Sequence, residues 1–328
     1  MLRVHFTGDD LARVRVVRGA DPMWELVLGA HLLKQSGGRA TFDGWRAQAR
    51  DRMRRLPYPQ RRLWGYLTPA HGPFPDFLTP AQPSPSLEAG IEAVRRTPAR
   101  RIAHDLSLLR AAPGWVRSLA DGEAHAVREL GDTLRRAYEA TLAPHWPRVE
   151  ALIDADRRLR ARTSLEQGVE GLLSGLGPAF RWRPPVLEAE YPVPRELHLG
   201  GRGLLLVPSV FCRRTPVTFV DDDLQPVLVY PVVKEPGWWT EPADAAHPGR
   251  SSLGQLLGGT RAAALRAVED GCSTSELARR TGVSAPTASQ HAAALREARL
   301  LRSTRRGNEM VHTLTPLGRA LLEANAPS

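Results

Sequence analysis

Hydrophobic positions along the chain change rhythm several times, and the changes mark its elements. Leu2, Val4 and Phe6 alternate with polar residues, the period-two pattern of a short strand, and Thr7 to Asp10 reads as a helix start. A second helix is predicted after Asp21-Pro22, with Trp24, Leu28, His31 and Leu32 along one stripe. Residues 42 to 56 are basic and helical in pattern. Eight prolines from Pro57 to Pro85 follow, a density that forbids long helices and predicts an extended, ordered connection with short turns. Helical spacing returns from Ser86 to about Arg110, from Gly122 to Ala143, and from Pro147 toward Gly171.

The texture changes near residue 185. Runs within Glu196 to Phe211, Val217 to Val220 and Val227 to Val233 are bounded by Gly, Pro and Asp clusters. They predict two to four short antiparallel strands, with the internal prolines at edges or bulges. Glu235 to Gly249 reads as a linker with Trp238-Trp239 packed against something. The chain is therefore divided into domains 1–249 and 250–328. Its class is mainly α with small β elements (α+β): a large N-terminal helical domain with a short antiparallel sheet, then a C-terminal winged helix-turn-helix.

That last assignment rests on an ordered series. Leu253, Leu256 and Leu257 form a short helix stopped by Gly258-Gly259, and Thr260 caps the next, with Ala264, Leu265 and Val268 inward. Thr274 caps a third helix, Ser275 to Thr281. Gly282 supplies a left-handed turn, Val283 plugs the core, and Ser284 caps a fourth helix, 285–298, with Pro286 in its first turn. Two alternating runs flank Arg305-Arg306-Gly307-Asn308 and predict a hairpin over 300–314, placed as a wing. Pro316 starts the last helix.

Composition narrows the partner. The 328 residues carry 42% hydrophobic and 24% charged residues, ordinary for two globular domains, and a net charge of +10 that favours a polyanion. Only Lys34 and Lys234 are lysines, so part of the arginine excess reflects a GC-rich coding bias. The apolar runs are too short for a membrane span and the N-terminus lacks a signal-peptide core, so a cytoplasmic protein with no membrane partner is expected. Cys212 and Cys272 allow no disulfide framework and no cysteine zinc site, and are expected to pack as small hydrophobes. Phosphate loop, dinucleotide fingerprint and nucleophile elbow are all missing. Gly200-Gly-Arg-Gly is a turn, Asp221 to Asp223 a solvated acidic loop, and His104, His145 and His198 lack ligand spacing. No catalysis, cofactor or metal is expected.

Cys272-Ser-Thr-Ser-Glu-Leu-Ala-Arg-Arg-Thr-Gly-Val-Ser, Ser289-Gln-His-Ala-Ala-Ala-Leu-Arg-Glu-Ala and Leu301-Arg-Ser-Thr-Arg-Arg-Gly-Asn resemble the ArsR-type winged-helix repressors over roughly residues 250 to 325. The first 250 residues resemble the larger domain joined to such winged helices in actinomycete regulators. The marks are Asp10-Leu-Ala-Arg-Val-Arg, Pro75-Asp-Phe-Leu, Ala143-Pro-His-Trp-Pro, Gly201-Arg-Gly-Leu-Leu-Leu-Val-Pro-Ser-Val-Phe and Tyr230-Pro. The resemblance implies a double-stranded DNA operator and repression as the default outcome. Two departures stand out. Metal-sensing members carry a cysteine pair where this chain has Ser273 and Ser275, and a hydroxyl is a poor ligand for a soft metal. The family's glycine after the recognition helix is Arg299 here.

On a helical wheel Ala288, Ala292 and Leu295 face inward, and Pro286, Gln290, Ala293 and Glu297 face out. The predicted base readers are Gln290 and Thr287; Ser284, Ser289 and His291 are phosphate candidates. Arg302, Arg305 and Arg306 on the wing are the remaining DNA-binding candidates, the last two suited to a minor groove. Residues 251–328 hold ten arginines and six carboxylates, which favours a site-specific duplex over bulk coating of nucleic acid. A homodimer on an inverted repeat is expected, with Leu253, Leu256, Leu257, Leu317, Leu321 and Leu322 as its seam or as cover against the large domain. The eight tryptophans, all N-terminal to the winged helix, include candidates to line a small-molecule effector pocket. The alternatives are a large domain that only dimerises or binds another protein, and one with an unrecognised enzymatic activity.

Overall fold

The computed structural model describes residues 1–70, 72–109, 113–221, 223–234, 237–239, 252–269, 271–306 and 309–323. Two compact units divide the chain, Met1–Trp239 and Thr240–Ser328. The 249/250 boundary expected from sequence lies outside the described residues. Among those residues no helix is long and apolar enough to cross a membrane.

The N-terminal unit is built on two cores that share one sheet. β1 (Leu2–His5) keeps its period of two, Leu2 and Val4 inward, and Thr7 closes a capping box with Asp10 on α1 (Gly8–Ala12). β2 (Arg15–Val16) leads to α2 (Pro22–Lys34), where Asp21 accepts the N–H groups of Met23 and Trp24. Instead of the one-stripe helix expected, α2 is buried from Pro22 through Ala30, because other elements pack on all its sides. α3 (Arg39–Arg54) follows. The proline-dense stretch is less extended than expected: α4 (Tyr58–Leu67) lies inside it, because Pro57 and Pro59 occupy the cap and first turn, where no helical N–H is lost. The helix expected from Ser86 to Arg110 is two, α5 (Leu87–Arg95) and α6 (Ala99–Ser107), interrupted at Pro98. α7 (Arg117–Ala120), α8 (Ala124–Thr141) and α9 (Trp146–Ser174) complete the layer, and α9 breaks at Gly168, whose φ is 69°.

The strands correct the antiparallel expectation. β3 (Phe180–Arg183), β4 (Val186–Ala189) and β5 (Arg195–His198) join β1 in the order β3-β4-β1-β5, with β5 parallel to β1. β6 (Leu205–Ser209) and β7 (Val227–Pro231) form a parallel sheet with β2, in the order β2-β6-β7. The physical reason is legible in the residues. Leu205 and Val207 belong to the helical core while Leu204 and Leu206 belong to the second core, so β6 is buried on both faces. An uninterrupted apolar run is what such a strand requires, and alternation is not. Pro208 sits in the central strand, two positions beyond the last β2 pair, so its missing N–H faces no β2 partner.

The C-terminal unit holds α10 (Ser252–Leu257), α11 (Gly259–Ala267), α12 (Thr274–Thr281), α13 (Ala285–Glu297) and α14 (Pro316–Glu323). Its sheet is β8 (Cys272–Ser273), β10 (Glu309–Leu314) and β9 (Leu301–Arg306), in that order and antiparallel throughout. The expected caps shift by a residue or more: Ser273, not Thr274, caps α12 by accepting the Glu276 N–H, and Gly258 precedes α11 with Thr260 inside its first turn. The two-residue β8 gave no alternation to find. Gly307 and Asn308, expected to turn the hairpin, lie outside the described residues.

Candidate nucleic-acid interface

The turn between α12 and α13 is set by local chemistry. Gly282 ends α12 with φ 66° and ψ 27°, the left-handed conformation that glycine adopts without a Cβ penalty. Ser284 Oγ accepts the Thr287 N–H at 3.3 Å and shares a 2.8 Å hydrogen bond with the Thr287 hydroxyl. Ala288, Ala292 and Leu295 pin α13 to the core beside Leu265, Val268 and Leu277. On α12, Glu276 binds Arg279 at 2.6 Å and Arg280 at 2.7 Å, and these hydrogen bonds hold its carboxyl down at about 2.

The far end of α13 is a complete Schellman motif with an unusual residue in it. Leu300 N–H reaches the Leu295 carbonyl and Arg299 N–H the Arg296 carbonyl, both at 2.9 Å. Arg299 stands at φ 59°, the one non-glycine residue with positive φ among those described. Thr315 Oγ1 donates to the Arg299 carbonyl at 2.7 Å and accepts the Gly318 N–H at 3.0 Å, tying this corner to α14. Gly318 is held by space: a Cβ there would collide with the Leu300 carbonyl oxygen.

Beneath the wing lies a residue that sequence reading missed. His312 is buried with both ring nitrogens engaged, Nδ1 with Ser303 at 2.8 Å and Nε2 with Thr274 at 3.0 Å. It joins β9, β10 and the start of α12. Burial, with Arg296 nearby, holds its pKa below the ordinary histidine value. The only trace in sequence was its alternation with Val311 and Thr313.

Of the sequence-predicted residues, Ser284, Ser289 and Gln290 are exposed, and Thr287 and His291 half-buried. Arg302 and Arg305 are exposed on β9, but the three-residue step puts them on opposite faces of the ribbon. Arg305 shares the face of buried Leu301, and Arg302 that of Thr304. The Arg306 side chain lies outside the described residues.

Residues 259–303 match the family model described as bacterial regulatory protein, arsR family. The C-terminal unit carries an ArsR-type helix-turn-helix. It is the DNA-binding element of a transcriptional regulator. The match covers nothing of the N-terminal unit, and neither the curated proteins nor the solved structures hold a match to the chain.

In the N-terminal unit the acidic loop is committed locally. Arg101 binds Asp221 at 2.7 Å and Asp105 at 3.3 Å, while Asp76 accepts the N–H groups of Val220 and Asp221. Asp222 lies outside the described residues, and among those described no group of acids, histidines and cysteines could hold a metal ion. Cys212 and Cys272 are free and buried, each in the core of its own unit; burial pushes the Cys212 thiol up to about 12. A cleft of about 920 Å³ opens among Leu28, Phe74, Tyr191 and Phe211, with Asp76 and Val220 on its wall. No tryptophan lines it, and Phe and Tyr supply its aromatic walls; Trp64 lines a smaller pocket of about 270 Å³. Phe211 also packs on Trp238, ring centroids 5.5 Å apart. Trp238 donates to the Thr41 carbonyl at 3.0 Å, and the Trp239 carbonyl is bonded to His145 Nδ1 at 3.1 Å.

Proposed function

We propose that the protein is a homodimeric repressor that binds an inverted-repeat operator in duplex DNA, and that a small molecule held by the N-terminal unit shifts its affinity. The observation that carries this reading is the outward face of α13. Its N-terminal half offers exposed Gln290 and Ser289 on a helix fixed at both ends by capping motifs. A glutamine amide on such a face can grip adenine N6 and N7 together. Thr287, its hydroxyl engaged by Ser284, brings its methyl to thymine. Ser284, Ser289 and His291 serve phosphates, Arg302 and Arg305 give the ribbon cationic groups on both faces, and Arg306 is the remaining wing candidate from the sequence.

Dimerisation is supported by two exposed leucines, Leu256 at 70% and Leu317 at 57%, on the first and last helices of the unit. The other four leucines of the expected seam pack on the unit's own core. Effector sensing is supported by the cleft and by Phe211, which touches both its interior and the tryptophan that anchors the outgoing chain. A ligand that prefers one packing of that aromatic cluster would bias the segment leading to the DNA-binding unit.

Selection of bound duplexes from a random pool by the full-length chain tests the reading. The expected result is an inverted repeat with half-site centres about one helical turn, or a multiple of it, apart. Recovery of unrelated sequences at the frequency of the input pool contradicts it.

A further inference from the structure

The apolar cleft has a neighbour of opposite character. A second cavity of about 870 Å³ is ringed by Lys34, Arg39, Arg50 and Arg213, and Gln35 and Arg213 line both. Its one carboxylate, Asp43, is engaged by Arg46 at 2.8 Å. Lys34 donates to the Gly65 and Thr68 carbonyls and Arg50 to the Leu33 carbonyl, partners that leave their charge uncompensated. Among the described residues no carboxylate lies within ion-pairing distance of Arg39 or Arg213. Gly37 gives the Arg213 guanidinium its place: a Cβ there would stand 2.6 Å from Cζ.

We infer that these two cavities form one composite site for an elongated apolar molecule ending in an anionic group, a carboxylate or a phosphate. The body lies along Phe74, Tyr191 and Phe211, and the head meets Arg213 and Arg39. Guanidinium is the side-chain group best shaped to take such a head through paired hydrogen bonds. Each cavity falls within the usual range for small-molecule sites, about 300–1,000 Å³. Charge complementarity at the head selects this occupant over a neutral or cationic one: four cations and one neutralised acid surround the head, while carbon dominates the wall beyond Arg213, where Asp76 and Glu190 are matched in number by Arg195 and Arg214. The inference rests on the sensor reading for its regulatory consequence but not for binding itself.

Calorimetric titration of the full-length protein tests it, with dodecanoate, dodecyl phosphate, dodecanol and dodecyltrimethylammonium below their micellar concentrations. One or both anions should bind about tenfold or more tighter than the alcohol, and the cation not at all; the better anion identifies the head. Arg213→Gln should bring the anions to the level of the alcohol and leave the alcohol unchanged. Gly37→Ala, which displaces the guanidinium without removing it, should act in the same direction. Equal binding of alcohol and anion, anion binding indifferent to both substitutions, or no binding by any probe overturns the inference. Operator affinity measured in the same samples separates the two readings. Anion binding that leaves it unchanged retires the sensor and keeps the ligand class. A chain that binds its operator but none of the probes retires the ligand class alone.

Discussion

α2 and α13 are each thirteen residues long, each open on a short polar cap, Asp21 or Ser284, and each carry a proline in the first turn. They serve opposite ends. Nine consecutive residues of α2, Pro22 to Ala30, are buried, a carboxylate among them, whereas α13 buries only Ala288, Ala292 and Leu295. Caps and first-turn prolines act on the end of a helix and carry no information about what will surround it. Side-chain volume does. α2 has Met23, Trp24, Leu26, Val27 and Leu28 in six positions, while α13 has alanine at 285, 288, 292, 293 and 294. A helix with so little apolar bulk can be held by one narrow stripe, leaving its other face for a partner.

The contrast breaks most readily in the core. Leu26→Ala should cost about 2–5 kcal/mol by urea unfolding, and Gln290→Ala no more than about 0.5 kcal/mol. All eight tryptophans lie in the N-terminal unit, so their fluorescence follows that unit alone. A Leu26→Ala loss below about 1 kcal/mol would mean that α2 is not sealed.

Next in size is pH. Burial pushes Glu25 up to about 7 and Asp21 up to about 6, although backbone N–H groups of Val210 and Phe211 bond the first and those of Met23, Trp24 and Ser84 the second. Both acids hold protons more tightly folded than unfolded. Their contribution is therefore full below the ordinary carboxylate range and is lost as pH rises through 6 to 7. Glu276 on α12 has the reverse sign: its contribution is present above the ordinary value and lost as pH falls toward 2. From pH 5 to 7.5 the tryptophan-detected stability should fall by a few kcal/mol, with no matching fall in a calorimetric transition of the C-terminal unit. Glu25→Gln, which cannot titrate, should flatten the fluorescence profile. A profile equally steep in that variant excludes Glu25 as the source.

The smallest effect lies at the exit of α13. Arg299→Gly relieves a side chain held in the left-handed region and should stabilise the C-terminal unit by about 1 kcal/mol, a rise of roughly 4–8 °C in its calorimetric midpoint. A lower midpoint would show that the arginine side chain contributes more than its backbone costs.

How much of this was legible depends on how far each signal reaches. In the C-terminal unit the deciding residues are neighbours: Gly282, Ser284 and Pro286 fix the turn, and alternation on both sides of residue 307 fixes the ribbon. The inward stripe of Ala288, Ala292 and Leu295 could be placed for the same reason. β8 escaped because two residues show no period, and His312 because one of its partners, Thr274, lies 38 residues away on another element, although Ser303 is its cross-strand neighbour in the ribbon. In the N-terminal unit the deciding partners are remote. β2 pairs with β6 across almost the whole unit, and no local pattern names a parallel partner. α4 hid behind two prolines that count against a helix unless they fall at its start. The twin cavities were invisible for a similar reason, since Arg213 and Gly37 meet only after folding.

The central claim is that the outward face of α13 reads bases. It is tested most directly by Gln290→Ala, with affinity measured on the duplex selected by the wild-type chain and on a random duplex of equal length and salt. The account predicts a loss of about 1–3 kcal/mol on the selected duplex and almost none on the random one. Equal losses on both, or none on either, contradict it.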